Sequence, residues 1–273
     1  MAVVPRAAAT VVLLRDGRDG LEAYLQLRPM GLGFAGGLWV FPGGRVDEAD
    51  RDPAVDLRWA GPPAAMWSER LGLPVDEARG YVVAACRETL EEAGLLLATP
   101  APGPEELAQG RRELLDGSSR FAELLEVLGV RLDAGRLRYW AWWVTPEAEP
   151  RRYDTRFFIA GLPAAAAVTA AHLAEAEREC WLPPGEAAAD LDLPMLPPTR
   201  YTLRDLAAYG SVEEALAAGS ERRVKRILPV LKGADLIMPW RERYPVPTPL
   251  LEPGGPGDPG GQSGRGGRPP VTP

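Results

Sequence analysis

The sequence predicts an α+β fold: a mixed β-sheet with additional helices. Two observations predict it. Stretches with strand character and stretches with helical periodicity interleave along the chain. Several successive strands are separated only by short turn clusters, as in hairpins, which favours a mixed sheet over a doubly wound parallel one.

Residues 9–14 (ATVVLL) are β-branched and apolar and read as a strand. A turn cluster, residues 15–20 (RDGRDG), follows, and residues 21–28 (LEAYLQLR) alternate as the returning strand. After a Gly-rich stretch, residues 38–41 form a short strand that ends at Pro42, Gly43 and Gly44. That glycine pair marks a bend where backbone must come close to something. Residues 47–74 read as irregular, with one amphipathic piece at 64–71. A long helix is expected over 75–94, with Pro74 ahead of it, Asp76 and Glu77 in its first turn and Gly94 as its stop.

Residues 104–128 read as two short helices broken near Gly117, Ser118 and Ser119. An aromatic strand at 137–145 is paired with a strand at 155–162, and a further strand is expected at 177–182. Pro183, Pro184 and Gly185 open a helix through Leu191, and two more helices are expected at 199–209 and 212–218. Residues 223–231 and 235–238 read as a last hairpin. The expected organisation is one domain over 1–244, with an insertion at 51–86 that runs into the long helix and a helical insertion at 104–128. Residues 245–273 read as a Pro/Gly-rich disordered tail.

Hydrophobic residues make up 46% of the chain, enough for a real core. The net charge of -7 argues against nucleic acid as a partner, because phosphate-backbone binders carry a basic surplus. With a single histidine, His172, a multi-histidine zinc site is excluded and a Ser-His-Asp triad is disfavoured. Any metal would be a hard, oxygen-ligated ion. The two cysteines, Cys86 and Cys180, lack metal-ligand spacing and suit a reducing compartment. No apolar run reaches the ~20 residues of a membrane span. The first six residues lack a signal-peptide core and the last four carry no address, so a cytoplasmic protein is expected.

Glu88, Glu91 and Glu92 stand at i, i+3 and i+4, on one face of the expected helix. Three like charges so placed repel, and Arg87 is a poor partner for all three. Alone, such a cluster reads most often as solvated surface. A divalent cation would turn the repulsion into coordination, bridge phosphate oxygens and lower the pKa of a bound water.

Residues 87–95 (RETLEEAGL) resemble the second half of the Nudix box, REUxEExGU, and Phe41, Pro42, Gly43 and Gly44 resemble the strand and bend that open it. The resemblance implies a Nudix α/β/α sandwich and a diphosphatase dependent on Mg²⁺ or Mn²⁺. It implies metal ligation by Glu88, Glu91 and Glu92, with Arg87 orienting a glutamate, and the turns served by Gly44 and Gly94. The box departs from the family pattern Gly-x5-Glu-x7-Arg-Glu. With five residues between, Gly44 is followed at the glutamate position by Asp50, taken here as a further metal ligand. The 36 residues 51–86 replace the usual seven.

An interrupted box is similar to one Nudix subgroup, typified by the peroxisomal coenzyme A diphosphatases of animals and their bacterial relatives. Arg28, Phe34, Gly36 and Trp39 resemble that subgroup's approach to the box. The stretch from Trp143 to Pro146, then residues 151–158 (RRYDTRFF), resembles its later elements. The expected substrate is therefore a nucleotide diphosphate, with coenzyme A or acyl-coenzyme A preferred. Substrate contacts are assigned to Arg28, Gly43, Gly44, Arg152 and Arg156. The stretch 29–38 holds no second basic residue, which leaves the 3′-phosphate of coenzyme A without a partner there. An ADP-sugar or dinucleoside polyphosphate hydrolase, or a Nudix-fold binding domain without turnover, stay as alternatives.

Arg152 and Arg156 either contact phosphate or form an ion pair with Asp154. Trp140, Trp142, Trp143, Phe157 and Phe158 either stack on a base or form core. Glu175 is the candidate general base, in a carboxylate run with Glu177 and Glu179. Residues 51–74 read as a lid, as the contact of a homodimer, or as an excursion that packs Trp59, Met66, Trp67 and Leu71 on the body.

Overall fold

The structure is a computed structural model that describes residues 3–31, 35–162, 178–233 and 235–245. Phe34, His172, Glu175, Glu177 and residues 246–273 of the expected tail lie outside the described residues.

Residues Arg6–Gly17 (β1) and Gly20–Leu27 (β2) form the first hairpin, with Leu14 opposite Ala23. Trp39–Val40 (β3) pairs with β2, and Gly43–Arg45 (β4) pairs with β1. Two 3₁₀ turns, Glu48–Arg51 and Pro53–Arg58, then lead to Trp59–Ala60 (β5) and the helices Ala64–Leu71 (α1) and Val75–Ala93 (α2). Ala98–Thr99 (β6) precedes Pro104–Leu115 (α3), Phe121–Val127 (α4) and Arg131–Asp133 (β7). Leu137–Val144 (β8) and Tyr153–Gly161 (β9) form the second hairpin, and Arg178–Leu182 (β10) follows. The chain continues through Pro184–Ala189 (α5), Pro197–Leu206 (α6) and Val212–Glu221 (α7). Short strands Arg226–Ile227 (β11), Val230–Lys232 (β12), Asp235–Ile237 (β13) and Arg243–Pro245 (β14) end it.

The main sheet has the order β10-β2-β1-β9-β8-β11, with β3 and β4 attached at β2 and β1. It is mixed because the two hairpins lie side by side with their inner strands, β1 and β9, parallel. Side chains alternate across a strand, so each inner strand feeds two cores. Val11 and Leu13 of β1 and Phe158 and Ala160 of β9 point to the core under α1, α2 and α4. Val12, Leu14, Phe157 and Ile159 point to the opposite core, under α5, α6 and α7. Helices therefore cover both faces, the α/β/α sandwich expected from the sequence. Among the described residues no helix is long and apolar enough to cross a membrane.

Helix α2 starts after Pro74 and ends where Gly94 turns left-handed at φ 67, its N–H returning to Leu90 O at 3.0 Å. Only glycine adopts that φ without cost, which fixes the helix end just beyond the glutamates. The helix is buried almost all round from Ala78 to Leu90 because β1, β4, α1 and the first 3₁₀ turn all pack against it.

Several expectations change. Residues 47–58, read as irregular, form the two 3₁₀ turns, and the glycine bend at 43–45 is itself a paired strand. Trp59–Ala60 and Ala98–Thr99 flank β7 in a small separate sheet. The expected last hairpin divides: β11 joins the main sheet parallel to β8, and β12 pairs with β13. The insertion is anchored, with Val55, Trp67 and Leu71 buried and Trp67 edge-on to Phe158 at 5.8 Å. Arg79 of α2 ties it down by paired bonds of 2.9 and 2.8 Å to Asp56.

Candidate active site

Two glycines let β4 lie close to β1 and to α2. A Cβ on Gly43 would stand 2.4 Å from Ala9 O, and one on Gly44 would stand 2.4 Å from Glu88 Oε1. Real Cβ contacts do not come that close, so Gly43 lets the bend lie against β1 and Gly44 leaves room for the Glu88 carboxylate.

Arg87 organises the far side. Its Nε and Nη2 donate to the two oxygens of Asp50, each at 2.9 Å. Nη1 donates to Glu88 Oε1 at 2.8 Å and to Glu91 Oε2 at 2.9 Å, and Nη2 also donates to Arg45 O at 2.9 Å. All five guanidinium N–H groups are thereby used, in the forked geometry that only arginine offers. Burial opposes the Arg87 charge, but Asp50, Glu88 and Glu91 overcome it and hold the group protonated.

Asp50, expected among the metal ligands, stands against Arg87. The residue is 2% exposed, Arg87 takes both of its oxygens, and Oδ2 also accepts from Asp47 N at 2.8 Å. Asp50 is the clamp that orients Arg87. The 3₁₀ turn at Glu48–Arg51 carries it close enough for the shorter side chain to reach.

Burial raises the Glu88 carboxyl to about 7, against the pull of Arg87 and with help from Glu91. Burial also raises Glu91, again against Arg87. Glu92 points elsewhere. Its Oε2 accepts from Gln26 Nε2 at 2.7 Å and from Gly43 N at 2.9 Å, and Oε1 lies 3.7 Å from Arg28 Nη1. Gln26 carried no sequence signal beyond its place on the same strand face as Arg28. Arg111 of α3 was likewise not expected at the site. Its Nε and Nη2 donate to Glu91 O at 3.1 and 2.6 Å, capping a carbonyl that the end of α2 leaves open. A cavity of about 270 Å³ opens beside Arg87 and Glu91, lined also by Asp47, Val83, Leu114 and Arg120.

Among the described residues, no three His, Cys, Asp or Glu side chains are gathered into a ready ligand set. The reason is the division just described, Glu88 and Glu91 toward Arg87 and Glu92 toward Gln26. The donor chemistry nevertheless fits a hard divalent cation. The candidate donors are carboxylate oxygens, and Asp50, Glu88, Glu91 and Glu92 place four carboxylates against the two guanidiniums of Arg87 and Arg28.

The two other arginines assigned to substrate belong to the fold. Arg152 donates to Thr145 O at 3.1 Å and Val3 O at 2.7 Å, clasping the chain start to the second hairpin. Arg156 is 1% exposed, lies 3.6 Å from the Trp142 ring, pairs with Asp154 at 3.3 Å and donates to Tyr139 Oη at 2.7 Å. It also faces Tyr81, about 10 Å along the helix axis from Glu88, the nearest of the glutamates, at 1.5 Å per residue. Trp140, Trp143, Phe157 and Phe158 are core. Of the carboxylate run near the expected base, Glu179 is described and accepts from Tyr24 Oη at 2.8 Å.

A mixed sheet between helical layers, with a glycine bend docked on a carboxylate helix, defines a Nudix hydrolase. The chain belongs to the NUDT19 Nudix domain family, whose model matches residues 59–206. It is similar to the acyl-coenzyme A diphosphatase NUDT19 of Gallus gallus, 29% identical over 264 residues, 78% of this chain and 70% of that protein. It is also 29% identical over 276 residues to the Homo sapiens acyl-coenzyme A diphosphatase NUDT19, 83% of this chain and 73% of that one. Among solved structures, a Nudix hydrolase from Alicyclobacillus acidocaldarius matches with TM-score 0.66 and 29% identity, over 82% of this chain and 99% of that one. Nudix hydrolases in general need divalent metal ions.

Proposed function

We propose that this chain hydrolyses the diphosphate of coenzyme A or an acyl-coenzyme A, using Glu88, Glu91 and Glu92 to hold Mg²⁺ or Mn²⁺. One observation carries the site assignment: a single guanidinium gathers Glu88 and Glu91 where the glycine bend admits the Glu88 carboxylate. The substrate class is supported by the relatives of Gallus gallus and Homo sapiens, which are acyl-coenzyme A diphosphatases.

Held by these glutamates, a divalent cation would supply positive charge against the leaving phosphate and would lower the pKa of a bound water. The chain's residues do the positioning. Arg87 fixes Glu88 and Glu91, and Asp50 fixes Arg87. Gly43 N and the Gln26 amide aim Glu92. Arg28, beside Glu92, is the cation placed to meet a phosphate. Water adds to one phosphorus and the bridging oxygen leaves, giving 3′,5′-ADP and a phosphopantetheine. The free thiols, Cys86 buried and Cys180 raised to about 11 by burial, suit a reducing compartment, and we place the protein in the cytoplasm.

A second reading, another nucleotide diphosphate such as an ADP-sugar, is favoured by the lack of a basic residue between Arg28 and Leu38. The site assignment is tested by Glu92→Gln, with Glu91→Gln in parallel. We expect each to lower kcat by about 10²–10³, the loss of several kcal/mol of charge stabilisation. Wild-type turnover of every diphosphate tried by both variants would remove these residues from the site.

A further inference from the structure

We propose that Gln26 is a positioning residue for hydrolysis, its buried amide holding the Glu92 carboxylate in the orientation a divalent cation requires. The inference rests on the metal-site reading above. Gln26 is 1% exposed on β2, and its side chain crosses to α2 to reach Glu92 at 2.7 Å. A carboxylate only accepts, so the amide must present its NH₂ group there.

A neutral donor suits this place. A guanidinium bonded to Glu92 would compete with a cation for its charge. An amide fixes the carboxylate without bringing a positive charge of its own. The Arg28 guanidinium stays at 3.7 Å from the other oxygen, beyond hydrogen-bond distance. The backbone N–H of Gly43 shares Oε2 with the amide, so Glu92 is held from both β2 and the glycine bend.

Packing alone does not account for Gln26. The neighbours whose side chains point to the other face, Leu25 and Leu27, are apolar, and an apolar residue would fill the volume without burying an amide. Gln26 Oε1 is buried with no hydrogen-bond partner among the described residues, as is Arg28 Nε two residues along the same strand face. A buried acceptor and a buried donor thus stand together beside Glu92, on the side where the substrate's phosphates are read above to bind.

The test is a double-mutant cycle read by Mn²⁺ binding to the full chain, measured calorimetrically without substrate, and by kcat and KM. Met in place of Gln26 keeps the volume and removes the donor. Asn keeps the amide but ends one methylene short, and it serves if the Met variant does not fold. For either variant we expect Mn²⁺ affinity and kcat to fall by about 10- to 100-fold with KM little changed, the usual effect of losing a partner that orients a metal ligand. In a Glu92→Gln background the same substitution should add almost nothing, because Gln26 acts through Glu92. Losses that multiply in the double variant, or Gln26 variants that bind Mn²⁺ and turn over like wild type while Glu92→Gln is impaired, overturn the role of Gln26 alone. Unchanged Mn²⁺ binding by Glu92→Gln overturns the metal-site reading and this inference with it.

Discussion

Glu88 brings a carboxyl group to a place that water barely reaches, beside the carboxylates of Glu91 and Asp50. Its raised pKa makes stability depend on pH in the metal-free protein. The unfolded chain releases this proton near the ordinary glutamate value of 4.5, and the folded chain keeps it until about 7. The stabilisation from the protonated form is complete below the lower value and is lost as pH rises through that window. A shift of this size corresponds to about 3 kcal/mol. We expect the metal-free melting temperature to fall between pH 4.5 and 7, and the fall to be much smaller in Glu88→Gln. Thermal melts of both proteins in chelator check this, and parallel curves would contradict it. At this scale the sequence was informative about residue type and spacing. The i, i+3, i+4 glutamates and Asp50, the sixth residue after Gly44, were legible. That Asp50 serves Arg87, or that Gln26 reaches Glu92 across 66 positions of chain, was not legible, because such contacts exist only after the hairpin docks on the helix.

The elements that could be read are those whose ends carry their own chemistry. Helix α2 runs Val75–Ala93, within a residue of expectation, because Pro74 and Gly94 mark its limits in the local sequence. The β1–β2 and β8–β9 hairpins were legible from turn clusters and alternation. Strands of two or three residues, such as β5, β6 and β11, have no period to detect and are made by the partners they meet. The same holds for the tie between α3 and α2. Arg111 caps Glu91 O from α3, so that helix steadies the end of α2 where the glutamates stand. We expect Arg111→Met to leave this carbonyl unsatisfied at a cost of about 2 kcal/mol. That corresponds to a drop of roughly 5 °C in melting temperature. A several-fold loss of kcat should accompany it. A melting temperature and kcat equal to wild type would show that α3 does not support the site.

Over the whole molecule, two hairpins meet along parallel β1 and β9, and the 36 residues that interrupt the box pack into the same body through Val55, Trp67 and Leu71. The interruption lengthens the path between the glycine bend and the carboxylate helix without separating them, since Gly44 still lies against Glu88. That is why an interrupted motif still gives a continuous site. Chemistry of the whole chain is tested by what it makes. Purified protein with Mg²⁺ or Mn²⁺ would be offered coenzyme A, an acyl-coenzyme A, an ADP-sugar and a dinucleoside polyphosphate, and the products weighed by mass spectrometry. We expect 3′,5′-ADP with phosphopantetheine or its acyl form, faster than any product of the other two. Saturable binding with no hydrolysis of any of the four would contradict it.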